Sequence, residues 1–260
     1  MRGRTRYTIL AVAGWVVLTV ACASTSSTPS ATPVEVGRND PLAATMLMQQ
    51  GQALVNEGRI EAGVEKYRAA LQLQPTNPTI HNLLGVAELQ SGNAAKALAS
   101  FNTALKLAPT YSDARNNRGA AYVQLGQYSM AEADFLTVLG DNLYANRAGV
   151  YFNLGSLYFG QGNYLAAEEN LRKAAVDAGP VEAYALLARV QQRLGKDELA
   201  ESTLRQAMAR APERADLVLA LADLLEGEKR GAEARELYEK ILILAPNSPE
   251  AAQARARLGK

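Results

Sequence analysis

The sequence predicts an all-α protein that folds as a right-handed superhelix of six helical hairpins, and three observations support this fold class. The stretch from Pro78 to Tyr111 reads as helix, turn, helix and turn, because apolar residues recur at helical spacing on both sides of Gly92 and Pro109 ends the second run. The same order of small, bulky and turn residues recurs six times. The copies start at spacings of 34, 34, 36, 33 and 34 residues.

The overall composition is that of a folded protein with an almost balanced charge. Of the 260 residues, 48% are hydrophobic and 20% are charged, which is typical of chains that bury a sizeable core. The formal net charge is only +1, so no excess of positive charge indicates a nucleic-acid partner. We therefore predict a folded protein that does not bind nucleic acid.

The N-terminal residues 1–21 have the pattern of an export signal. Arg2, Arg4 and Arg6 form a basic start, and an apolar run follows over residues 9–20. A plain membrane anchor is the alternative, but about 12 apolar residues are fewer than the roughly 20 that span a bilayer. We therefore predict a cleaved signal peptide.

Leu18 to Cys22, reading LTVAC, resembles the lipobox of bacterial lipoproteins, although Thr19 stands where Leu is most common. The resemblance implies that Cys22, the only cysteine, is acylated and becomes the new N-terminus. Two or more acyl chains hold a protein stably on a membrane. Ala23, in the position after the cysteine, resembles lipoproteins sorted to the outer membrane, so we expect a lipid-anchored protein that faces the periplasm.

Residues 22–43 contain the run STSSTPSATP, which can neither bury apolar area nor form a regular element. We predict a flexible tether here. The repeats are then predicted over residues 44–248. Their units start at Ala44, Pro78, Ser112, Ala148, Val181 and Ala215.

Three positions define each unit. A small residue allows the two helices to approach closely, and it is Gly51, Gly85, Gly119, Gly155, Ala188 and Ala222. A second small residue, on the second helix, allows the same close approach, and it is Gly63, Ala97, Ala131, Ala167, Ala200 and Ala234. A bulky residue fills the space beside them, and it is Tyr67, Phe101, Phe135, Leu171, Leu204 and Tyr238. This order at a 34-residue period resembles the tetratricopeptide repeat.

The resemblance implies an array in which each unit covers its neighbour, so the last unit needs a cap. Ser248, Pro249 and Glu250 supply an N-cap residue, a proline at the first helical position and an acidic first turn. The sequence therefore predicts a capping helix over residues 249–260.

The residues needed for catalysis or metal binding are scarce. His81 is the only histidine and occupies a position where this repeat places a packing residue, so we predict a structural role for it. One His and one Cys provide neither a nucleophilic arrangement nor a metal cluster. Gly160-x-Gly162 reads as a turn between helices, and Glu168-Glu169 as a solvated helix face. We predict no catalytic residue, metal, cofactor or small-molecule substrate, and no enzymatic activity.

Binding of another polypeptide is the remaining function, because the first helices of such an array line a concave face. The repeat class places seven candidate partner-binding residues there: Gln49, Asn82, Asn116, Asn117, Phe152, Asn153 and Phe159. Gln49, Asn117 and Asn153 share one position of the repeat, and an exposed ladder of amides could bond an extended peptide's backbone. The alternative is that these amides only cap or bridge neighbouring helices.

The rest of that face differs between the two ends of the array. Towards the C-terminal end it becomes charged, with Arg189, Arg193, Asp223 and Glu226. The Lys/Asn clamp of chaperone-binding members is absent, because its places are held by Met48, Gln52 and Leu83.

Units three and four carry a narrower resemblance. The motifs NNRG over residues 116–119, LGDNLYANR over 139–147 and NLG over 153–155 resemble the six-repeat lipoproteins of type IV pilus biogenesis, the pilotins. The resemblance implies that the protein takes the secretin to the outer membrane and supports its assembly. An ordinary repeat with a tolerated loop insertion is the alternative explanation of the motifs. The alternative functions are an envelope scaffold with another client and an enzyme with a helical regulatory domain.

Overall fold

The computed structural model describes residues 40–176 and 179–259. The predicted signal peptide, Cys22 and the tether up to residue 39 lie outside this range. Within it the chain forms thirteen helices and no strand. They are α1 (Pro41–Asn56), α2 (Ile60–Leu73), α3 (Pro78–Gln90), α4 (Ala94–Leu107), α5 (Ser112–Gln124), α6 (Tyr128–Leu139), α7 (Arg147–Gly160), α8 (Tyr164–Ala174), α9 (Val181–Arg193), α10 (Asp197–Arg210), α11 (Ala215–Gly227), α12 (Gly231–Leu244) and α13 (Pro249–Leu258). None of these thirteen helices has the length and apolarity that a membrane crossing requires.

The helices pair into six hairpins, from α1 with α2 to α11 with α12, and each second helix packs on the first helix of the next unit. The first helices of units one to five also contact one another in sequence, from α1 to α9. We call the surface that these first helices line the inner face. The predicted fold class, a right-handed superhelix of six helical hairpins with a C-terminal capping helix, is confirmed.

Four of the six predicted unit starts coincide with the first residue of a helix. The first unit begins three residues earlier than predicted, at Pro41, within the stretch predicted as tether. The cause is local, because the Asp40 side chain accepts hydrogen bonds from the backbone nitrogens of Leu42 and Ala43 at 2.9 and 3.2 Å. An N-cap followed by proline at the first helical position starts a helix there.

Close contact between the helices of a pair explains the small and bulky residues of the repeat. A Cβ atom added to Gly85 would lie 2.6 Å from Cε1 of Phe101, and one added to Gly119 would lie 2.5 Å from the Phe135 ring. The six bulky residues are at most 2% exposed. Each pair of helices therefore closes around one bulky side chain that fits only beside a small residue.

The turn between the two helices of each unit has the same backbone conformation in all six copies. Its central residue has positive φ, from 63° to 80°, and is glycine in the first five units. The next residue donates its backbone N–H five residues back, as Asn93 does to Glu88 and Arg230 does to Leu225, at 2.8 and 2.9 Å. This is the glycine-based helix end known as the Schellman motif. In the sixth unit Lys229 takes the glycine's place at φ 63°.

The longer junction between units three and four is held by side chains. The Ser112 hydroxyl donates to Asp141 and the Tyr144 hydroxyl donates to Asp113, both at 2.8 Å. The Arg147 guanidinium donates to the backbone oxygen of Leu139 at 2.9 Å. The extra residues of this unit are therefore tied to the start of α5 and to the end of α6.

The capping helix is confirmed as α13. The Ser248 hydroxyl accepts from the backbone nitrogen of Ala251 at 3.1 Å, and Pro249 is the first helical residue. Ala251 and Ala254 are fully buried, and α13 packs against both α11 and α12. The helix covers the apolar end that a seventh unit would otherwise cover.

Candidate functional site

Three of the predicted partner-binding amides are buried. Asn82, Asn116 and Asn117 are 5%, 7% and 5% exposed. The expectation that Asn117 is exposed on the inner face is therefore wrong, and a partner can reach little of these three side chains. Buried amides need hydrogen-bond partners inside the protein, and the neighbouring units supply them.

The amides bond across the boundaries between units. Asn117 Nδ2 donates to Asn82 Oδ1 at 3.0 Å, and Asn153 Nδ2 donates to Asn116 Oδ1 at 3.0 Å. Asn82 Nδ2 in turn donates to the Tyr111 hydroxyl at 3.3 Å. We call the Asn82–Asn117 and Asn116–Asn153 contacts the amide pairs. They join units two to three and three to four, as in the alternative that these side chains bridge neighbouring helices.

Arg118 of the NNRG motif also has a structural position. Its guanidinium donates to both carboxylate oxygens of Asp134 at 2.7 Å, and a third bond of 2.9 Å reaches Asn102 of the preceding unit. Asp134 is buried, so this bidentate pair is shielded from water. The motif therefore stabilises the boundary between units two and three.

The remaining predicted residues are accessible on the inner face. Gln49 is exposed on α1, and Phe152, Asn153 and Phe159 are half-buried on α7. The Phe159 ring lies 5.8 Å from the Tyr164 ring at an interplanar angle of 51°. Aromatic side chains that are half-buried in this way can offer apolar contact to a partner.

The charged end of the inner face divides into a basic and an acidic part. Arg189 and Arg193 are exposed on α9, and the Arg189 guanidinium lies 5.5 Å from the centre of the Phe159 ring. Two acidic residues, Asp223 and Glu226, lie on α11. The inner face therefore offers cations in unit five, and the first helix of unit six carries carboxylates.

The capping helix contacts the acidic part. Arg257 of α13 lies 3.7 Å from Asp223 and 3.1 Å from Glu226. The Tyr238 hydroxyl donates to the same carboxylates at 2.7 and 2.9 Å. Burial first, and then these two carboxylates, raise the pKa of Tyr238. The role of Arg257 was not predicted, because nothing local in the sequence places the last helix against α11.

Ion pairs replace the amide pairs at the later boundaries. Lys196 lies 2.7 Å from Glu168, and Arg230 lies 2.8 Å from Glu201. We call these the ion pairs between units. Glu168 was predicted to lie on a solvated face, but it is 8% exposed and paired with unit five. The sequence contained a signal for these ion pairs. In both pairs the acid occupies one fixed position of a unit and the base occupies another fixed position of the next unit.

His81 takes a structural position, as predicted. Its Nε2 lies 2.9 Å from the backbone oxygen of Pro75, in the turn before α3. Among the residues that the structure describes, no cluster of three or more His, Cys, Asp or Glu side chains could hold a metal ion. The accessible chemistry of the inner face is thus that of amide, aromatic and charged side chains.

Family models and solved structures match the same array. Models described as tetratricopeptide repeat match residues 36–78, 48–112, 100–133, 148–175, 181–214 and 198–258. A search of the curated proteins finds no match to this chain. These repeat models together span more than half of the chain.

Several solved structures share the fold. PilF of Pseudomonas aeruginosa is 20% identical, with a TM-score of 0.68 over 83% of this chain and 97% of that chain. PilW, described as a widely conserved type IV pilus biogenesis factor, is 20% identical, with a TM-score of 0.73 over 82% of this chain and 98% of that chain. YrrB, described as having an unusual peptide-binding site, is 18% identical, with a TM-score of 0.53 over 74% of this chain and 99% of that chain. With the repeat models, the hairpins and their inner face, this chain belongs to the tetratricopeptide repeat family of protein-interaction modules.

Proposed function

We propose that this chain is an outer-membrane lipoprotein that binds a segment of a secretin and supports its targeting and assembly in type IV pilus biogenesis. The observation that carries the proposal is the extent of the match, since the array corresponds to 97% and 98% of the PilF and PilW chains. That similarity is one of fold at 20% identity. The predicted export signal, the resemblance of LTVAC to a lipobox and the NNRG motif add support from the sequence.

The inner face of the first four units suits the binding of an extended segment. The amide pairs and the Arg118–Asn102 hydrogen bond join units two, three and four. An array whose units are already joined by such bonds loses little conformational freedom when it binds a partner. The entropic cost of ordering therefore falls mainly on the bound segment. A specific interface of this kind would bury roughly 1,200–2,000 Å² in total.

The lipid anchor has a separate part in the proposal. Acylated Cys22 would keep the array at the membrane while residues 23–39 connect it to α1. A client bound on the inner face would then travel with the anchor to the outer membrane. The function needs no chemical step, and we propose none.

The second candidate is a cell-envelope scaffold that holds a different protein. The similarity to YrrB favours it, because that chain has the same repeat fold and is described as binding a peptide. Both candidates use the same inner face, and they differ in the client.

Deletion of the gene tests the first candidate. We expect the deletion strain to lose pili and secretin multimers, and the wild-type gene to restore both. Complementation with Cys22→Ser should leave secretin monomers in the inner membrane, whereas the control Thr19→Leu, which restores the commoner lipobox residue, should behave as the parent. Intact pili and secretin multimers in the deletion strain would contradict the first candidate and favour the scaffold. A pull-down from membranes would then identify the scaffold's client.

A further inference from the structure

The inner face of unit five carries two exposed arginines that lie one helical turn apart. Arg189 and Arg193 are both exposed on α9. Within residues 40–176 and 179–259 neither guanidinium forms an ion pair or a side-chain hydrogen bond, although most other arginines there do. Residues four apart are neighbours on a helix surface, and like charges at this spacing repel. A bound carboxylate would remove that repulsion.

An aromatic ring lies beside one of these arginines. The Arg189 guanidinium lies 5.5 Å from the centre of the Phe159 ring, which itself packs against Tyr164. A guanidinium stacked on a ring keeps its N–H donors in its own plane, where they can bond a carboxylate. Phe152 is half-buried on the same helix, seven residues before Phe159, and packs against the same apolar cluster. It therefore extends the apolar surface beside Arg189.

The neighbouring acidic residues do not neutralise the two arginines. Asp223 and Glu226 of unit six are contacted instead by Arg257 of the capping helix and by the Tyr238 hydroxyl. The positive charge on α9 therefore remains available, next to the aromatic surface of α7. Charge complementarity favours an anionic group, and the adjacent rings favour an apolar one.

We propose that Arg189 and Arg193 bind a carboxylate of an extended polypeptide segment, whose adjacent apolar side chain lies on Phe152 and Phe159. The proposal rests on the proposed function, because this segment is the part of the client that reaches units four and five. It names the chemistry of that segment as an acidic residue beside an aromatic or large aliphatic one.

Fluorescence anisotropy with synthetic peptides tests the proposal on the full array. The probes are fluorescein-labelled Gly-Ser-Phe-Glu-Glu-Phe-Ser-Gly and the same peptide with Gln in place of both Glu residues. We expect the parent to bind the Glu peptide about tenfold more tightly, since charge-assisted hydrogen bonds are stronger than neutral ones. We also expect the difference to shrink as salt rises from about 50 to about 300 mM.

The double variant Arg189→Gln and Arg193→Gln should bind both peptides equally, while the control Arg172→Gln, an exposed arginine on the second helix α8, should keep the preference. Circular dichroism melting of each variant checks that the array is folded. Equal binding of the two peptides by the parent, no binding of either, or a preference that survives in the double variant would overturn the proposal.

Capture of the secretin from solubilised membranes separates the two proposals. If the parent and the double variant both capture it, the arginines are not the site and the proposed function stands. If the parent binds the Glu peptide selectively but captures no secretin, the site stands and the proposed client is wrong. Capture by the parent alone supports both.

Discussion

The amide nitrogen of Asn117 donates to the amide oxygen of Asn82 across 3.0 Å and joins the third unit to the second. Both side chains are 5% exposed. The two residues are 35 positions apart, one repeat plus one residue, so the bond connects adjacent repeat positions on two neighbouring first helices. The amide of Asn117, which was predicted to bind a partner, therefore joins two units of the array.

Removal of that amide should destabilise the array. Asn117→Ala leaves the buried Asn82 oxygen without its donor, so we expect the free energy of unfolding to fall by about 1–3 kcal/mol. Gln49→Ala is the matched control, because Gln49 occupies the same repeat position but is exposed, and we expect a change within about 0.5 kcal/mol. Urea denaturation of both variants gives the comparison. An Asn117→Ala variant as stable as the parent would show that the amide pair contributes nothing.

The contact of Gly85 with Phe101 should not tolerate added bulk. Gly85→Leu would force the ring from a site with 0% exposure, and we expect a loss of about 1–3 kcal/mol. A double-mutant cycle sharpens the test. Gly85→Ala should cost less in a Phe101→Leu background than alone, because unit five already combines Ala188 with Leu204. Equal costs in the two backgrounds would mean that the ring is not what excludes the side chain.

The turn of the sixth unit should gain stability from glycine. Lys229 has φ 63°, a conformation that glycine adopts without strain and that other L-residues adopt at a cost. We expect Lys229→Gly to raise the free energy of unfolding by about 0.5–1 kcal/mol, after the greater freedom of glycine in the unfolded chain is subtracted. Lys229→Ala removes the charge but keeps the strain, so it should give no gain in thermal denaturation. An equal gain in stability in both variants would show that removal of the positive charge, and not relief of backbone strain, is the cause.

Acid should weaken the ion pairs between units. Arg230 donates to Glu201 at 2.8 Å and holds the pKa of that carboxyl below its ordinary value of 4.5. A lowered pKa in the folded state means that this stabilisation is present above about pH 4.5 and is lost as the pH falls through the folded-state pKa. The free energy of unfolding should thus fall less steeply with acid in Glu201→Gln than in the parent.

Glu213→Gln is the control for that measurement, because Glu213 is exposed and has no ion pair within the described part of the chain. Its pH profile should follow that of the parent. Urea midpoints between about pH 6 and pH 3 provide the data. Parallel profiles for Glu201→Gln and the parent would remove the ion pair as a cause of acid sensitivity.

Local patterns in the sequence were enough to predict the hairpins. Turn glycines such as Gly92 and close-approach residues such as Gly85 act within one unit, where sequence spacing and spatial distance correspond. The start of α1 was misplaced although its signal was present, since Asp40 and Pro41 form an N-cap and a first helical residue. A stretch that is rich in Ser, Thr and Pro obscured that signal.

The misjudged side chains are those whose environment comes from another unit. Asn117 was predicted to be exposed because its repeat position faces inward, but its partner lies 35 residues away. Glu168 was predicted to be solvated, yet Lys196 reaches it from the next unit. Burial of such groups depends on how closely successive hairpins approach, which a single repeat does not contain.

Neutral amides hold the boundaries between units two, three and four, whereas partly exposed charges hold those between units four, five and six. Mobile ions screen the second kind of contact and leave the first almost untouched. A rise in salt concentration should therefore weaken the contacts between units four, five and six more than the amide pairs. The boundaries within one array thus differ in how strongly the surrounding electrolyte acts on them.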